Sequence, residues 1–366
     1  MKPNILVAPL DWGLGHATRC IPVIHSLLAH GCQVILAGEG KIENLLRKEY
    51  PDLPFLHLKG YGVRYSRSAW SLPIRLATQI PTILSIIQYE NQRLKAIVKE
   101  QPIHGIISDN RYGLYHERVP SVFISHQLRI KIPLGSFAEQ AVQKLNYRFI
   151  NRFHQCWVPD QPLAPGLAGG LSHPDRLPGP PTFYTGPLSR FAPLPNDEPG
   201  RHLLVLLSGP EPQRSLLEKL MMAELAHYNG PAVLVRGLPG SGHPSLPSYP
   251  SLRIYDHLPS AALQQLMQEA SLVISRCGYS TVMDLAMLRK KSILVPTPGQ
   301  TEQEYLARHL SDTHFAFCLP QHKFRLLPAL NLASRFPYRF PERNQSNLLN
   351  EAVGSFLELV DKARTA

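Results

Sequence analysis

Short apolar runs alternate along this chain with stretches of helical periodicity. Asn4-Ile-Leu-Val-Ala8 is apolar and flanked by Pro3 and Pro9, which predicts a buried strand. A turn holding Gly13 and Gly15 follows. From Ala17 to His30 the apolar positions Ile21, Ile24, Leu27 and Leu28 fall at helical spacing, and Gly31 stands where a helix stop is expected. Gln33–Gly38 is the next predicted strand, so the chain opens as a βαβ unit with parallel strands. The same reading places strands at 54–58, 103–109, 119–125 and 155–159. The pattern then restarts: strand 201–208, helix 213–227, strands 231–236 and 252–255, helix 260–270, strand 272–275, helix 280–288, strand 292–295 and an amphipathic helix at 345–363. Between the two halves, Pro159–Gly200 is rich in Pro and Gly and predicts the connection. The expected fold is α/β, with two Rossmann-like domains facing across a cleft: 1–186, 187–344, and a C-terminal helix (345–366) packing back on the first.

Composition narrows the function classes. Of 366 residues, 44% are hydrophobic and 18% charged, which excludes global disorder. The 35 prolines are scattered and imply many rigid turns. A net charge of +11 favours anionic partners. It is not gathered into a run of five Lys/Arg, so nucleic acid is not an expected partner. The five cysteines form no CxxC pair and read as buried thiols in a reducing cytoplasm. Ile5–Leu10 is too short for a signal-peptide core, and no apolar stretch is long enough for a membrane helix. There is no Asp-x-Asp at a strand end and no zinc spacing, so no metal is expected.

Candidate chemistry gathers at strand ends. Gly13-Leu-Gly15-His16 brings two glycines and a histidine to a helix N-terminus, where free N–H groups attract anions. The turn is equally an ordinary βα connection, and it lacks the third glycine of a dinucleotide fingerprint. Ser275-Arg-Cys-Gly-Tyr-Ser-Thr-Val-Met-Asp284 again runs from strand to helix. Ser280 and Thr281 suit a diphosphate and Asp284 a ribose, although Thr281-x-x-Asp284 is also a capping box. In Pro296-Thr-Pro-Gly-Gln-Thr-Glu-Gln-Glu-Tyr305, Gln303 and Glu304 suit sugar hydroxyls, while acids in a first turn also serve the helix dipole. Asp109, at the end of a strand, is a second acid/base candidate beside His16, or an Asx turn with Asn110. The segment 63–87 mixes Arg with Trp, Ile and Leu and suits an anionic bilayer carrying a lipid acceptor, or a core helix with basic flanks.

The run from His257 through Ala270–Leu285 to Leu294–Tyr305 resembles the donor-binding half of nucleotide-sugar glycosyltransferases, most closely the MurG-like group (glycosyltransferase family 28, GT-B fold). Gly13–His16, Ser125-His-Gln127 and Ser208-Gly209 resemble further loops of that family, in order along the chain. The resemblance implies that Gly278, Ser280 and Thr281 cradle the donor diphosphate and that Asp284, where the family more often has Glu, holds the ribose. Gln303 and Glu304 would contact the sugar, Ile254 and Tyr255 the base, and Gly15, Ser208, Gly209 and Arg236 would complete the donor site. His16 or Asp109 would be the general base. The implied function is inverting, metal-independent transfer from a UDP-sugar, with no further cofactor, to a hydroxyl acceptor, a lipid-linked one included, on the cytoplasmic face of a membrane. A nucleotide-sugar 2-epimerase of the same fold and a non-catalytic nucleotide-sugar-binding protein are the competing readings.

Overall fold

The computed structural model describes residues 2–61, 72–132, 135–192, 200–240, 245–247, 249–342 and 347–365, with backbone alone over 72–80 and at 136. The chain divides into two compact units, the first running to Leu188 and the second from Ser189 to Glu342; the C-terminal helix returns to the first.

In the first unit the elements are β1 (Asn4–Pro9), α1 (Leu14–Ala29), β2 (Gln33–Gly38), α2 (Gly40–Glu49), β3 (Phe55–His57), α3 (Leu72–Glu100), β4 (Gly105–Asp109), β5 (Ser121–Ile124), α4 (Gly135–Ile150), β6 (Gln155–Val158) and β7 (Thr182–Tyr184). The seven strands lie in the order β3-β2-β1-β4-β5-β6-β7, and every pair is parallel. Strands covered on both faces read as unbroken apolar runs, and Ile5, Leu6, Val7, Ile106 and Ile107 are fully buried.

The second unit holds β8 (His202–Leu206), α5 (Gln213–Leu225), β9 (Ala232–Val235), β10 (Leu252–Tyr255), α6 (Ser260–Glu269), β11 (Ala270–Arg276), α7 (Tyr279–Leu288), β12 (Ser292–Val295), α8 (Thr301–Asp312), β13 (Phe317–Cys318) and α9 (Leu326–Ser334). Its six-stranded sheet has the order β10-β9-β8-β11-β12-β13, again parallel throughout. Leu217 and Met221 of α5 close over Val205, Leu234, Ile274 and Ile293 of the strands. Each such fully buried aliphatic side chain contributes about 1.5–3 kcal/mol.

The last helix, α10 (Leu348–Thr365), packs on the first sheet. Ser26 Oγ donates to Asn350 Oδ1 at 2.7 Å, Gln155 Nε2 to Ser355 Oγ at 3.1 Å, and the rings of Trp157 and Phe356 meet edge to face at 6.1 Å. Gly105 makes this docking possible, since a Cβ there would lie 2.6 Å from the Phe356 ring.

The two-sheet α/β architecture is the one the apolar alternation predicts. Several details differ. The Pro/Gly-rich stretch 159–200 is not purely a connection: Thr182–Tyr184 in it adds the edge strand β7. Three residues after a Pro-Pro pair are too few to carry a periodicity. The helices α2, α4 and α9 have no counterpart among the predicted elements. Of the basic and apolar segment 63–87, residues 63–71 lie outside the described residues, and 72–87 belongs to α3.

In both sheets the strand order reverses once. In the first, β1 passes outward to β2 on one side and to β4 on the other; in the second, β8 does the same between β9 and β11. Ligands of open α/β sheets bind beyond the carboxyl ends of the strands at these reversal points.

Candidate functional site

At the reversal of the first sheet, β1 and β4 run side by side with Pro9 opposite Asp109. Gly13, at φ 116°, precedes α1, a backbone setting that favours glycine. Gly15 lies in the first turn, its carbonyl accepting from Thr18 Oγ1 at 3.0 Å. One turn further, His16 and Arg19 share a helix face. His16 Nδ1 is 3.1 Å from Asp109 Oδ2, Arg19 Nε donates to the same oxygen at 2.8 Å, and Arg19 Nη2 donates to Asp109 Oδ1. Arg19 Nη1 is 3.2 Å from Nδ1 of the buried His126. Arg19 Nη2 also lies 2.8 Å from His16 Nδ1. The two contacts of Nδ1 select different tautomers: a proton on Nδ1 is donated to Asp109 and leaves Nε2 bare, while a bare Nδ1 accepts from Arg19.

The environment separates the two base candidates. His16 keeps 15% side-chain exposure, whereas Asp109 has none. Burial, and then Arg19, hold His16 below its usual value, so it is neutral at pH 7. Burial alone would raise Asp109, but Arg19 and His16 outweigh it and hold the carboxyl down at about 2. Both oxygens of Asp109 are engaged, by Arg19 and His16. The alternative Asx turn gives way to these partners.

Behind this cluster sits a second buried pair. Arg111 Nε donates to Glu90 Oε1 at 2.6 Å, both side chains being fully buried. Arg111 Nη2 donates to the carbonyl of Lys59, and Glu90 Oε2 accepts from Tyr61 Oη at 2.7 Å and Gly113 N at 3.1 Å. This fixes the 59–61 loop, whose N–H groups reach two acids: Gly60 N donates to Glu39 Oε1 at 2.7 Å and Tyr61 N to Asp11 Oδ1 at 2.8 Å. Asp11, Gly13, Glu39, Lys41 and His57 line a hollow of about 310 Å³ at the ends of the first three strands.

In the second unit, Gly278 caps α7, followed by the half-buried Ser280 and Thr281 in its first turn. Gly278 makes the turn from β11 into α7; its backbone (φ −84°) does not demand glycine, and a Cβ there would point into open space. Asp284 does not close a capping box. Its Oδ1 accepts from Ser189 Oγ at 2.6 Å, its Oδ2 lies 3.9 Å from Arg190 Nε, and α7 has no side-chain cap bond. Burial raises its carboxyl to about 6.

Gln303 and Glu304 have a local employment that spacing did not reveal. Gln303 Oε1 accepts from Thr297 N at 2.9 Å and Glu304 Oε1 from Gly299 N at 2.8 Å, so together they clamp the turn between β12 and α8. Arg236 departs from the expectation that it faces phosphates. Its Nε donates to Glu218 Oε2 at 2.8 Å and its Nη1 to Asp256 Oδ1 at 2.6 Å, while Arg214 Nη1 shares Glu218 Oε2 at 2.8 Å. These carboxylates account for the buried guanidinium without a ligand. Tyr255 is half-buried, and its carbonyl accepts from Arg236 N at 2.8 Å. Ser208 is half-buried and Gly209, at φ 103°, exposed, both in the turn between β8 and α5.

Glu218 thus carries two buried arginines. Glu218→Leu is expected to cost about 1.5–3 kcal/mol of unfolding free energy, because both arginines lose a buried charge-assisted partner and keep only the more exposed Glu211 and Asp256. Urea denaturation checks this, and an unchanged midpoint would contradict it.

Sequence reading missed Arg19, Glu90–Arg111 and Glu218. For Arg19 the one-turn spacing His16-x-x-Arg19 is a usable signal; the others are paired only by the fold.

Comparison with known proteins gives the frame. Residues 245–352 match the glycosyltransferase family 28 C-terminal domain. A UDP-N-acetylglucosamine–N-acetylmuramyl-(pentapeptide) pyrophosphoryl-undecaprenol N-acetylglucosamine transferase of Crocosphaera subtropica is 30% identical over 147 residues, which cover 38% of this chain and 39% of the relative. The match thus spans well under half of that relative's length. An uncharacterized glycosyltransferase of Methanosarcina acetivorans is 25% identical over 345 residues, 85% of this chain and 82% of that one. Among solved structures, the glycosyltransferase of kitacinnamycin superposes with a TM-score of 0.61 at 13% identity, covering 99% and 96% of the two chains. MurG of Acinetobacter baumannii gives 0.52 at 14%, covering all of both. The fold is that of the GT-B glycosyltransferases, and the likeness to the MurG-like group joins sequence and structure.

Proposed function

We propose that this chain, whose residues 245–352 match the glycosyltransferase family 28 C-terminal domain, transfers a sugar from a UDP-sugar to a hydroxyl acceptor with inversion and without a metal ion. The single observation that carries the reading is the His16–Asp109–Arg19 cluster at the reversal of the first sheet, in a chain whose other sheet bears that family domain. With its proton on Nδ1, donated to Asp109, His16 presents a bare Nε2 to the acceptor. That nitrogen takes the hydroxyl proton as the oxygen attacks the anomeric carbon. The bond from that carbon to the diphosphate oxygen breaks, and UDP leaves with the electron pair. A single displacement of this kind inverts the centre. Asp109 steadies the imidazolium that forms. N–H groups at the start of α7, with Ser280 and Thr281, meet the charge growing on the leaving diphosphate. Asp284 takes the ribose hydroxyls in place of the Ser189 hydroxyl it now holds.

An acceptor carried on a lipid, reached from the cytoplasmic side of a membrane, is part of the proposal. The net charge of +11 supports it, as does the pyrophosphoryl-undecaprenol substrate in the name of the Crocosphaera relative. No helix among the described residues is long and apolar enough to cross a membrane.

Calorimetric titration of UDP, GDP, ADP and dTDP into wild type and Asp284→Ala, in EDTA, tests the donor site. UDP is expected to bind best, and the variant to lose about 1–3 kcal/mol for hydroxyls left unpaired. No nucleotide binding, or an indifferent variant, would remove the assignment.

A further inference from the structure

Five arginines of the described structure are buried: Arg19, Arg111, Arg214, Arg236 and Arg276. Four meet carboxylates, at Asp109, at Glu90, at Glu211 and Glu218, and at Glu218 and Asp256. That is the ordinary condition of a buried guanidinium, whose desolvation must be offset by a counter-charge. Arg276 is the exception. It is 1% exposed, makes no ion pair among the described residues, and its Nε has no hydrogen-bond partner. Its remaining N–H groups reach only backbone: Nη2 donates to the carbonyl of Gln213 at 2.7 Å, and Nη1 to those of Pro296 at 3.3 Å and Val295 at 3.5 Å. Burial lowers its pKa to about 10, which leaves it cationic at neutral pH.

Its place in the fold gives the charge a meaning. Arg276 ends β11, beside β8, at the reversal of the second sheet. Gln213 is the first residue of α5, Gly278 caps α7, and Pro296 opens the turn toward α8. One guanidinium therefore lies beneath three strand-to-helix turns, two of them feeding helices of 13 and 10 residues whose first turns hold no acid. Each helix start adds partial positive charge. At α5 that charge is met by Glu211, whose Oε2 accepts from Ser215 N at 3.2 Å; the start of α7 carries no side-chain cap bond.

We infer that Arg276 is the fixed half of an ion pair whose other half is the ligand: the diphosphate of the nucleotide donor, bound over the turns at Ser208–Gly209 and Gly278–Thr281. The inference rests on the donor reading above and goes beyond it by assigning the counter-charge to a residue with no surface of its own. Arg276 acts through space and through the turns it holds, as a positioning residue.

The test compares ligands that differ only in the anion. Wild type, Arg276→Gln and Arg276→Lys are titrated with UDP, uridine and inorganic pyrophosphate, by calorimetry or ligand-observed NMR. Wild type is expected to prefer UDP over uridine strongly and to bind pyrophosphate. Arg276→Gln should cut the preference at least tenfold and lose pyrophosphate, while Arg276→Lys, which keeps the charge, should retain most of both. A purely architectural Arg276 would weaken UDP and uridine alike and leave their ratio unchanged, overturning the inference while the donor reading stands. If Arg276→Gln does not fold, Arg276→Lys still decides: a loss of preference there as large as that expected of Gln overturns it. Wild type that binds pyrophosphate but neither nucleoside ligand supports the inference and removes the donor reading. Wild type that binds none of the three removes both.

Discussion

Alanine at His16 is expected to lower sugar transfer by about 10²- to 10⁴-fold, the range a positioned general base supplies. The donor residues assigned above, Gly15 apart, all lie in the second unit, so UDP affinity should remain. A stopped assay with radiolabelled donor, run beside calorimetry, reads both. Transfer at the wild-type rate would remove His16 as the base, and equal loss of UDP binding would place it in donor recognition. The pH profile adds a sign. Burial and Arg19 hold His16 below its ordinary value of 6.5, so the base keeps its neutral form to lower pH than a free imidazole. The acid limb of kcat/KM should therefore fall below pH 6.5. If Arg19→Gln leaves the protein folded, it should move that limb upward, because one cause of the depression has gone.

Asparagine at Asp109 should act chiefly on stability. Its carboxylate is the ion partner of Arg19, which is 2% exposed. The variant leaves that guanidinium buried beside a neutral amide, at a cost of about 3–5 kcal/mol. The pH dependence follows from linkage. A folded value of about 2, below the ordinary 3.8, means that the unfolded chain binds the proton more readily. The stability Asp109 lends is complete above about pH 4 and is lost as pH falls toward 2. Denaturation across that window should show a steep acid loss in wild type and a flatter one in Asp109→Asn. An asparagine variant as stable as wild type at pH 7 would contradict the pairing. Activity should fall too, since His16 loses the group that selects its reactive tautomer.

The parts of this molecule written in periodicity are legible in the amino-acid order alone. The runs Asn4–Ala8 and Leu272–Ser275 are strands because continuous apolar residues suit a sheet covered on both faces, and each is followed by a glycine-bearing turn and a helix. That order also puts Asp109 at the end of β4, Gly278 just before α7, and His16 and Asp284 in the helices that follow β1 and β11. Pairing is not legible in the same way. Nothing in the sequence says that Arg111 meets Glu90, or that Arg236 is spent on Glu218 and Asp256, because these partners are joined only when separate elements pack. Gln303 and Glu304 read equally well as sugar ligands or as dipole acids, and the structure gives them another task, backbone acceptors for their own turn. Short elements escape for a different reason: Thr182–Tyr184 is a strand only because β6 offers it an edge.

The docking of α10 has a consequence for how the protein is made. Its residues complete the first sheet's covering layer, with Phe356 filling the space that Gly105 leaves open, yet they follow the whole second unit in the chain. Synthesis from the N-terminus usually lets domains finish in order. Here the ribosome releases the first unit with an apolar trench still bare around Ile5, Gly105 and Trp157, and the second unit emerges before the plug for that trench exists. The earlier unit is thus the later one to be sealed, and cutting the gene at the boundary between the two would yield a fragment lacking part of its own interior.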